Sequence, residues 1–264
     1  MATSLDIPVY LINLDGSDER LASARRQLEG AGVAFQRVPA FDGRKLRIEQ
    51  FPDYDPRAAL HYLGRPMRGG EIGCYLSHLD CARRFLATDA PHAVVLEDDM
   101  QLTPGFAEGV RKVLDWLATQ PIGWDLINIG SPRHKIYTVV HGFGAGGRHH
   151  DLTLAHYFPM TTTGLIWSRP GAQAFVDGHR TIWAAVDNYF RWWQTRAGRG
   201  LAVWPPLVTT TGAESEIADA GANRRSAAGR HPLYGLMKQR RLLVDKVIAG
   251  IRKLRAGAGM RGRG

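Results

Sequence analysis

The stretch HAVVLEDDM, His92 to Met100, constrains this chain more than any other. Four apolar residues, Ala93 to Leu96, run directly into Glu97, Asp98 and Asp99. A short apolar run of this kind reads as a buried strand, as in a parallel sheet covered on both faces. Three adjacent carboxylates at its end repel one another, so something cationic is needed to meet them. Side chains alternate along an extended chain. That alternation predicts Glu97 and Asp99 on one side and Asp98 on the other. Two carboxylates on one side of a strand end suit a hard divalent cation, Mn2+ or Mg2+, with substrate phosphates completing its shell. Such an ion neutralises a diphosphate leaving group. A surface turn of solvated acids is the competing reading of the same triplet.

The remaining sequence alternates apolar runs with helical patterns. VYLINL, FQRVPAF, WDLINIG, TTTGLIWS and LAVWPPLV read as strands. DGSDERLASARRQLEGAG reads as a helix with Ser17 as its N-cap and Leu21, Ala24 and Leu28 as its apolar stripe. EIGCYLSHLDCARRFL, GFAEGVRKVLDWLAT, PGAQAFVDG and DNYFRWWQTRA follow as helices. This alternation predicts an α/β fold: a mostly parallel central sheet flanked by helices. Ligands in such sheets lie outside the carboxyl ends of the strands, which is where the three acids stand. HGFGAGGRHHDLTLAHYF is rich in Gly and His and shows no clear period. It is predicted to be a flexible loop able to cover a site.

At 264 residues the chain suffices for one large domain or two small ones. No apolar run approaches the ~20 residues that span a bilayer. The N-terminus lacks the basic region and apolar stretch of a secretory signal. Cys74 and Cys81 stand seven residues apart on one predicted helix, ~10 Å along its axis. That is too far for a disulfide, so free thiols in a reducing cytoplasm are expected. The net charge of +9 is unevenly distributed. From Asn223 onward lie twelve of the 34 basic residues and one of the 25 acids, so that tail carries +11 and the rest of the chain −2. A nearly neutral body argues against a nucleic-acid-binding protein.

VYLINLDGSDER, AFDGR, GEIGCYLSHLDCARRFLA, HAVVLEDDM and WDLINIG occur in this order. TTTGLIWSRPGAQAF, VDNYF and VWPPLVTTTGAESEI continue the set, from about Pro8 to Ile217. Together these segments resemble glycosyltransferase family 25, the lipopolysaccharide-biosynthesis glycosyltransferases, and the similar collagen galactosyltransferases. The resemblance implies a GT-A-like domain over residues 1–222 and transfer of a sugar from a UDP-sugar, with UDP-galactose the typical donor, to a glycan or lipid-linked glycan acceptor. It also implies inversion at the anomeric carbon. Glu97, Asp98 and Asp99 fall on the family's acidic metal and donor motif, with Glu97 and Asp99 as metal ligands and Asp98 on the donor. Asn13 and Arg20 fall in the first-strand motif near the nucleotide. Arg20 is also placed by its own position, past a strand end and at a helix start, where a guanidinium pairs with phosphate; a solvated helix charge is the alternative. Asp42 is either an acceptor for uracil or ribose or a turn residue before Gly43. Ser77 and His78 lie on the helix that the resemblance sets against the donor, although a lone His is more often structural. Asp187 in VDNYF is the candidate base for the acceptor hydroxyl, or a helix N-cap. Trp192 and Trp193 stack on sugar or fill the core. Many relatives carry a His where this chain has Thr163, and His149, His150 and His156 have no assignable role from sequence. A nucleotide-binding protein without transferase activity and a metal-dependent phosphohydrolase are the alternative classes; the latter wants ligands for a second metal, and no convincing set is present.

Residues 223–264 form the basic tail. In LYGLMKQRRLLVDKVIAGIRKLR, Leu233, Leu236, Met237, Val244, Val247, Ile248, Ile251 and Leu254 are predicted to share one helical stripe, with basic residues elsewhere. Such a helix binds an anionic membrane surface, which would make the protein peripheral on the inner face of the cytoplasmic membrane. The alternative is a helix packed on the body with a solvated basic face.

Overall fold

Residues alternate sides along the first strand, and both sides are apolar. Val9 and Leu11 join one core cluster, Tyr10 and Ile12 another. A strand buried on both faces needs helices above and below it. The computed structural model, which describes residues 5–43, 48, 51–210 and 230–261, supplies both layers. Strand β1 (Val9–Asn13) leads through helix α1 (Asp18–Gly30) to β2 (Gln36–Pro39). Helices α2 (Pro56–Leu63) and α3 (Gly69–Leu86) precede β3 (His92–Glu97). Next come β4 (Met100–Leu102), α4 (Phe106–Ala118) and β5 (Leu126–Asn128), then β6 (Thr138–Ala145) and β7 (Arg148–Leu154). Strand β8 (Gly164–Ser168), α5 (Arg169–Gly178), α6 (Val186–Ala197), β9 (Gly200–Trp204), β10 (Val208–Thr210) and α7 (Tyr234–Arg261) complete the order.

Eight strands form one sheet in the order β2-β1-β3-β8-β5-β9-β7-β6. Six run in one direction; β8 and β7 run against them, so the sheet is mostly parallel in direction and mixed in its pairings. The α/β fold predicted from the alternation is therefore present, with α3, α5 and α6 on one face and α1 and α4 on the other. Each fully buried Val, Leu or Phe of these two clusters contributes roughly 1.5–3 kcal/mol. The chain leaves β1 for β2 on one side, then places β3 on the other. That reversal opens a crevice at the carboxyl ends of β1 and β3, where open α/β sheets bind ligands.

Two sequence expectations change. The Gly/His-rich segment is not a loop but the β6–β7 hairpin at the sheet edge. Gly146 and Gly147 turn it with φ of 54° and 75°; positive φ at both positions suits a tight hairpin turn and favours glycine. Histidines and glycines on an edge strand hid its period of two. Helix α2 was not predicted, although its signals are local. Asp55 Oδ1 accepts from Ala58 N at 2.9 Å, Pro56 opens the first turn, and Gly64 closes the helix with φ 74°.

Helix α7 packs on α2, α6 and β6. It docks through a mixed face, with Met237, Leu242, Ile248 and buried Ala249 beside polar anchors. Asp245, 1% exposed, pairs with Arg196 at 2.8 Å, and Arg241 donates to Tyr62 O at 3.1 Å. The predicted single stripe is split. Met237 and Ile248 turn partly inward, whereas Leu233, Leu236, Val244, Val247, Ile251 and Leu254, joined by Leu243, are exposed. Among the described residues no helix is long and apolar enough to cross a membrane.

Candidate functional site

The crevice brings the acids together with their cation. Glu97 is the last residue of β3; Asp98 and Asp99 form a turn rather than extended strand. All three line one cleft of about 140 Å³, so the alternation expected to send Asp98 to the opposite side ends at Glu97. Arg20, at the start of α1, lies 3.1 Å from Asp98 Oδ1 and 3.9 Å from Asp99 Oδ2. Asn13, ending β1, donates to Asp98 Oδ2 at 2.7 Å and bridges the two strand ends. The solvated-turn reading of the triplet fails, since Asp98 is 9% exposed and Arg20, Asp98 and Asp99 face one another.

Glu97 has a different environment. Its Oε1 faces His78 Nε2 at 3.0 Å and accepts from Thr162 Oγ1 at 2.7 Å, with Cys74 Sγ at 3.7 Å. Burial works to raise its pKa, but the bonds from His78, Thr162 and Cys74 outweigh that, and the carboxyl sits below its ordinary value. Asp99 moves the other way. Burial, then the nearby Glu97 charge, push it up to about 6 against the opposing pull of Arg20. Its Oδ1 is buried and has no hydrogen-bond partner among the described residues. An under-satisfied carboxylate oxygen at a strand end is the donor a hard cation seeks. Cys74, His78 and Glu97 also lie within 4.8 Å of one another. They converge on one oxygen, Glu97 Oε1, and satisfy it rather than surround a void. Burial raises the Cys74 thiol well above its ordinary value, so it stays protonated there.

The segment after β2 forms the opposite wall. Ser77 accepts from Phe41 N at 2.9 Å and donates to Gly73 O at 2.7 Å, tying Phe41 to α3. A Cβ on Gly73 would stand 2.3 Å from Phe41 O, so only glycine permits this approach. The same contact sets Asp42 on the cleft wall. Ser77 and His78, 2% and 0% exposed, are therefore buried supports: one positions the Asp42 segment, the other Glu97.

Asp187 is the second residue of α6, and the N-cap position belongs to Ala185; the N-cap reading of Asp187 fails. Its Oδ1 accepts from Asn188 N at 2.6 Å and Nδ2 at 2.8 Å. Burial raises its pKa against those two bonds. It is not among the residues lining the cleft, yet its charge reaches Cys74, which is. Trp192 and Trp193 pack partly buried against the α3–α6 core. His150 bonds Pro205 O, His156 bonds Thr138 Oγ1, and His149 pairs with Asp151 on the exposed hairpin, so these three histidines serve the β6–β7 edge. The TTTGAESEI segment lies, from Thr211 on, outside the described residues.

Sequence reasoning missed three supports. Arg37 Nε donates to Asn13 Oδ1 at 2.8 Å and also pairs with Asp15. Cys74 and Thr162 both bond Glu97. The spacing of Cys74 and His78, four residues apart on one helix, was the available signal.

Residues 6–134 match the family model described as glycosyltransferase family 25 (LPS biosynthesis protein). Over these residues the chain is similar to glycosyltransferase family 25. The match contains Asn13, Arg20, Asp42, Ser77, His78 and all three acids. A glycosyltransferase 25 family member of Aedes aegypti is 37% identical over 129 residues, 47% of this chain and 21% of that protein. Procollagen galactosyltransferase 1 of Danio rerio is 30% identical over 177 residues, 64% of this chain and 28% of that protein. The aligned parts thus span about a quarter of these relatives. The solved galactosyltransferase LgtC, in complex with donor and acceptor sugar analogs, is 14% identical with a TM-score of 0.37, covering 92% of this chain and 95% of that one. So loose a superposition carries no argument; the fold rests on the strand order above.

Proposed function

We propose that this chain is a glycosyltransferase that moves a sugar, galactose in the first instance, from a UDP-sugar to a hydroxyl of a glycan acceptor with inversion. The observation that carries the proposal is the gathering of Glu97, Asp98, Asp99 and Arg20 at the β1/β3 switch point. The family 25 match and the collagen galactosyltransferase likeness support the reaction class, and the sheet order supports the GT-A-like reading of residues 1–222.

Each residue then has a role. Arg20 meets the donor diphosphate. Asp98, oriented by Asn13, and Asp42 accept hydrogen bonds from the nucleoside. Glu97, fixed by His78, Thr162 and Cys74, buttresses the turn. The site fits a divalent cation, Mn2+ or Mg2+, because Asp99 Oδ1 is buried and unsatisfied; Asp99, with Glu97 behind it, would hold the ion. When bound, the ion offsets charge on the leaving diphosphate. The cleft takes part of the donor, since whole ligand sites run to ~300–1,000 Å³. Asp187 takes the proton of the acceptor hydroxyl as its oxygen bonds the anomeric carbon and the bond to the diphosphate breaks, releasing UDP. Its raised pKa makes it the stronger base.

The exposed stripe of α7 is proposed to rest on an anionic membrane. Arg240 lies within the stripe, and Lys246, Lys253 and Arg255 are exposed near it. On this proposal the enzyme works on the inner face of the cytoplasmic membrane, where a lipid-linked glycan presents itself, with residues 223–264 as its attachment arm.

The test is release of UDP from UDP-galactose, UDP-glucose and UDP-N-acetylglucosamine, with and without Mn2+. Metal-stimulated turnover of UDP-galactose above the other two is expected. Absence of turnover with every donor contradicts the proposal.

A further inference from the structure

A second cavity, about 490 Å³, lies between the segment at 131–135, the segment at 157–161, α6 and α7. This is the size of a small-ligand site. Four cations line it, Arg133, Lys135, Arg191 and Lys246, and among the described residues no carboxylate does. Cations gathered without acids mark a place for an anion.

The cavity is built rather than merely rimmed with charge. Arg191 is held by its neighbours: Nε donates to Phe158 O at 2.8 Å, Nη1 to Tyr157 Oη at 3.2 Å, and the guanidinium stacks 4.4 Å from the Tyr157 ring. Thr161 Oγ1 is buried on the cavity wall and has no hydrogen-bond partner among the described residues. Ile136, next to Lys135, has φ of 46°. A β-branched residue in that region is strained, and such strain persists only where surroundings impose it.

Two links tie the cavity to the crevice. Thr161 precedes Thr162, whose hydroxyl bonds Glu97, and Asn128 Nδ2 pins Thr161 O at 2.6 Å. Arg191 stands one helical turn from Asp187, and each lies within reach of the other's charge. A molecule held in this cavity by Arg191 thus lies beside the proposed base on one side and the Glu97 wall on the other.

We infer that this cavity is the acceptor subsite and that the acceptor glycan is anionic, carrying a phosphate or carboxylate on a sugar near the hydroxyl that receives the transferred residue. The inference rests on the transferase reading. Arg191 grips the anion, with Arg133, Lys135 and Lys246 around it. Thr161 supplies the hydroxyl contact. Lys246 comes from α7, so the helix that carries the outward apolar stripe also closes the acceptor wall.

The test titrates the full chain with glucose 6-phosphate, glucose and glycerol 3-phosphate, each with and without saturating UDP, followed by ligand NMR. Glucose 6-phosphate is expected to bind about tenfold or more tightly than glucose, to bind more tightly than glycerol 3-phosphate, and to remain bound in the presence of UDP. The exposed triple variant Arg133→Gln/Lys135→Gln/Lys246→Gln is expected to weaken it about tenfold. Equal binding of glycerol 3-phosphate would mean a lipid headgroup site and overturn the acceptor assignment. Displacement by UDP would assign the signal to the donor cleft and overturn it too, as would indifference to the triple variant. The UDP titration on the same samples judges the donor reading separately: UDP binding without glucose 6-phosphate binding sinks only the acceptor inference, whereas glucose 6-phosphate binding without UDP binding removes the donor reading and, with it, the acceptor assignment that rests on it.

Discussion

The crevice at β1 and β3 and the outer face of α7 break the same rule in opposite directions. The crevice takes charged groups out of water; α7 puts hydrocarbon into it. Buried charge is tolerated only when paired, and three carboxylates there share Arg20, Asn13, His78 and Thr162. Leu236, Leu243 and Leu254, each over 60% exposed, have no such compensation among the described residues. The crevice is therefore nearly complete in itself, and among the described residues one of its buried carboxylate oxygens, Asp99 Oδ1, has no partner. The helix face lacks a whole partner surface. One region asks for a cation and a phosphate, the other for a bilayer.

The comparison is sharpened first where chemistry is asked for. Asp187→Asn is expected to lower kcat by about 10²–10⁴, with UDP affinity within about twofold of wild type, because Asp187 lies outside the cleft. Loss of UDP binding instead would move Asp187 into the donor site. Next comes the helix. The triple variant Leu236→Gln/Val247→Gln/Leu254→Gln is expected to weaken sedimentation with phosphatidylglycerol vesicles by at least about tenfold. Its melting temperature should stay near wild type, since exposed positions rarely change stability by more than about 0.5 kcal/mol. A large fall in melting temperature would show that the stripe is covered by the protein's own chain.

Smaller effects probe the two acids. Asp99 has a folded pKa of about 6, above its ordinary value of 3.8. Its protonated form is favoured by folding, so its contribution is fully present below about pH 4 and is lost as pH rises through about 6. Metal-free Asp99→Asn is therefore expected to be more stable than wild type above pH 6, by on the order of 2 kcal/mol, and equal to it below pH 4. Urea denaturation in chelator across this range reads the crossover. Glu97 is held by donors, so Thr162→Val should destabilise the protein by about 1–2 kcal/mol by removing one of them. A neutral outcome would mean that His78 and Cys74 suffice to satisfy Glu97.

The two regions were not equally legible in the sequence. The acids announced themselves because the apolar run and the triplet are contiguous, and the strand–helix alternation located them at a carboxyl edge. Arg20 was readable for the same reason, since it lies in the first turn of the helix that follows β1. Thr162 was not, because it meets Glu97 across 65 residues through the antiparallel β3–β8 pairing, and sequence carries no register between strands so far apart. Arg37 was hidden likewise by the β1–β2 register. The α7 stripe was legible as a pattern but not as a direction. Periodicity shows which residues share a face; only packing decides that Asp245 and Arg241 point to the body while the leucines point away.

The central claim is that Asp99 and its neighbours hold a cation beneath a nucleotide diphosphate. Isothermal titration of the wild-type chain and Asp99→Asn with UDP, with and without Mn2+, tests it most directly. The account predicts that Mn2+ tightens UDP binding at least about tenfold in the wild type and leaves the variant unchanged. Equal Mn2+ dependence in both proteins, or no UDP binding by the wild type under either condition, would contradict it.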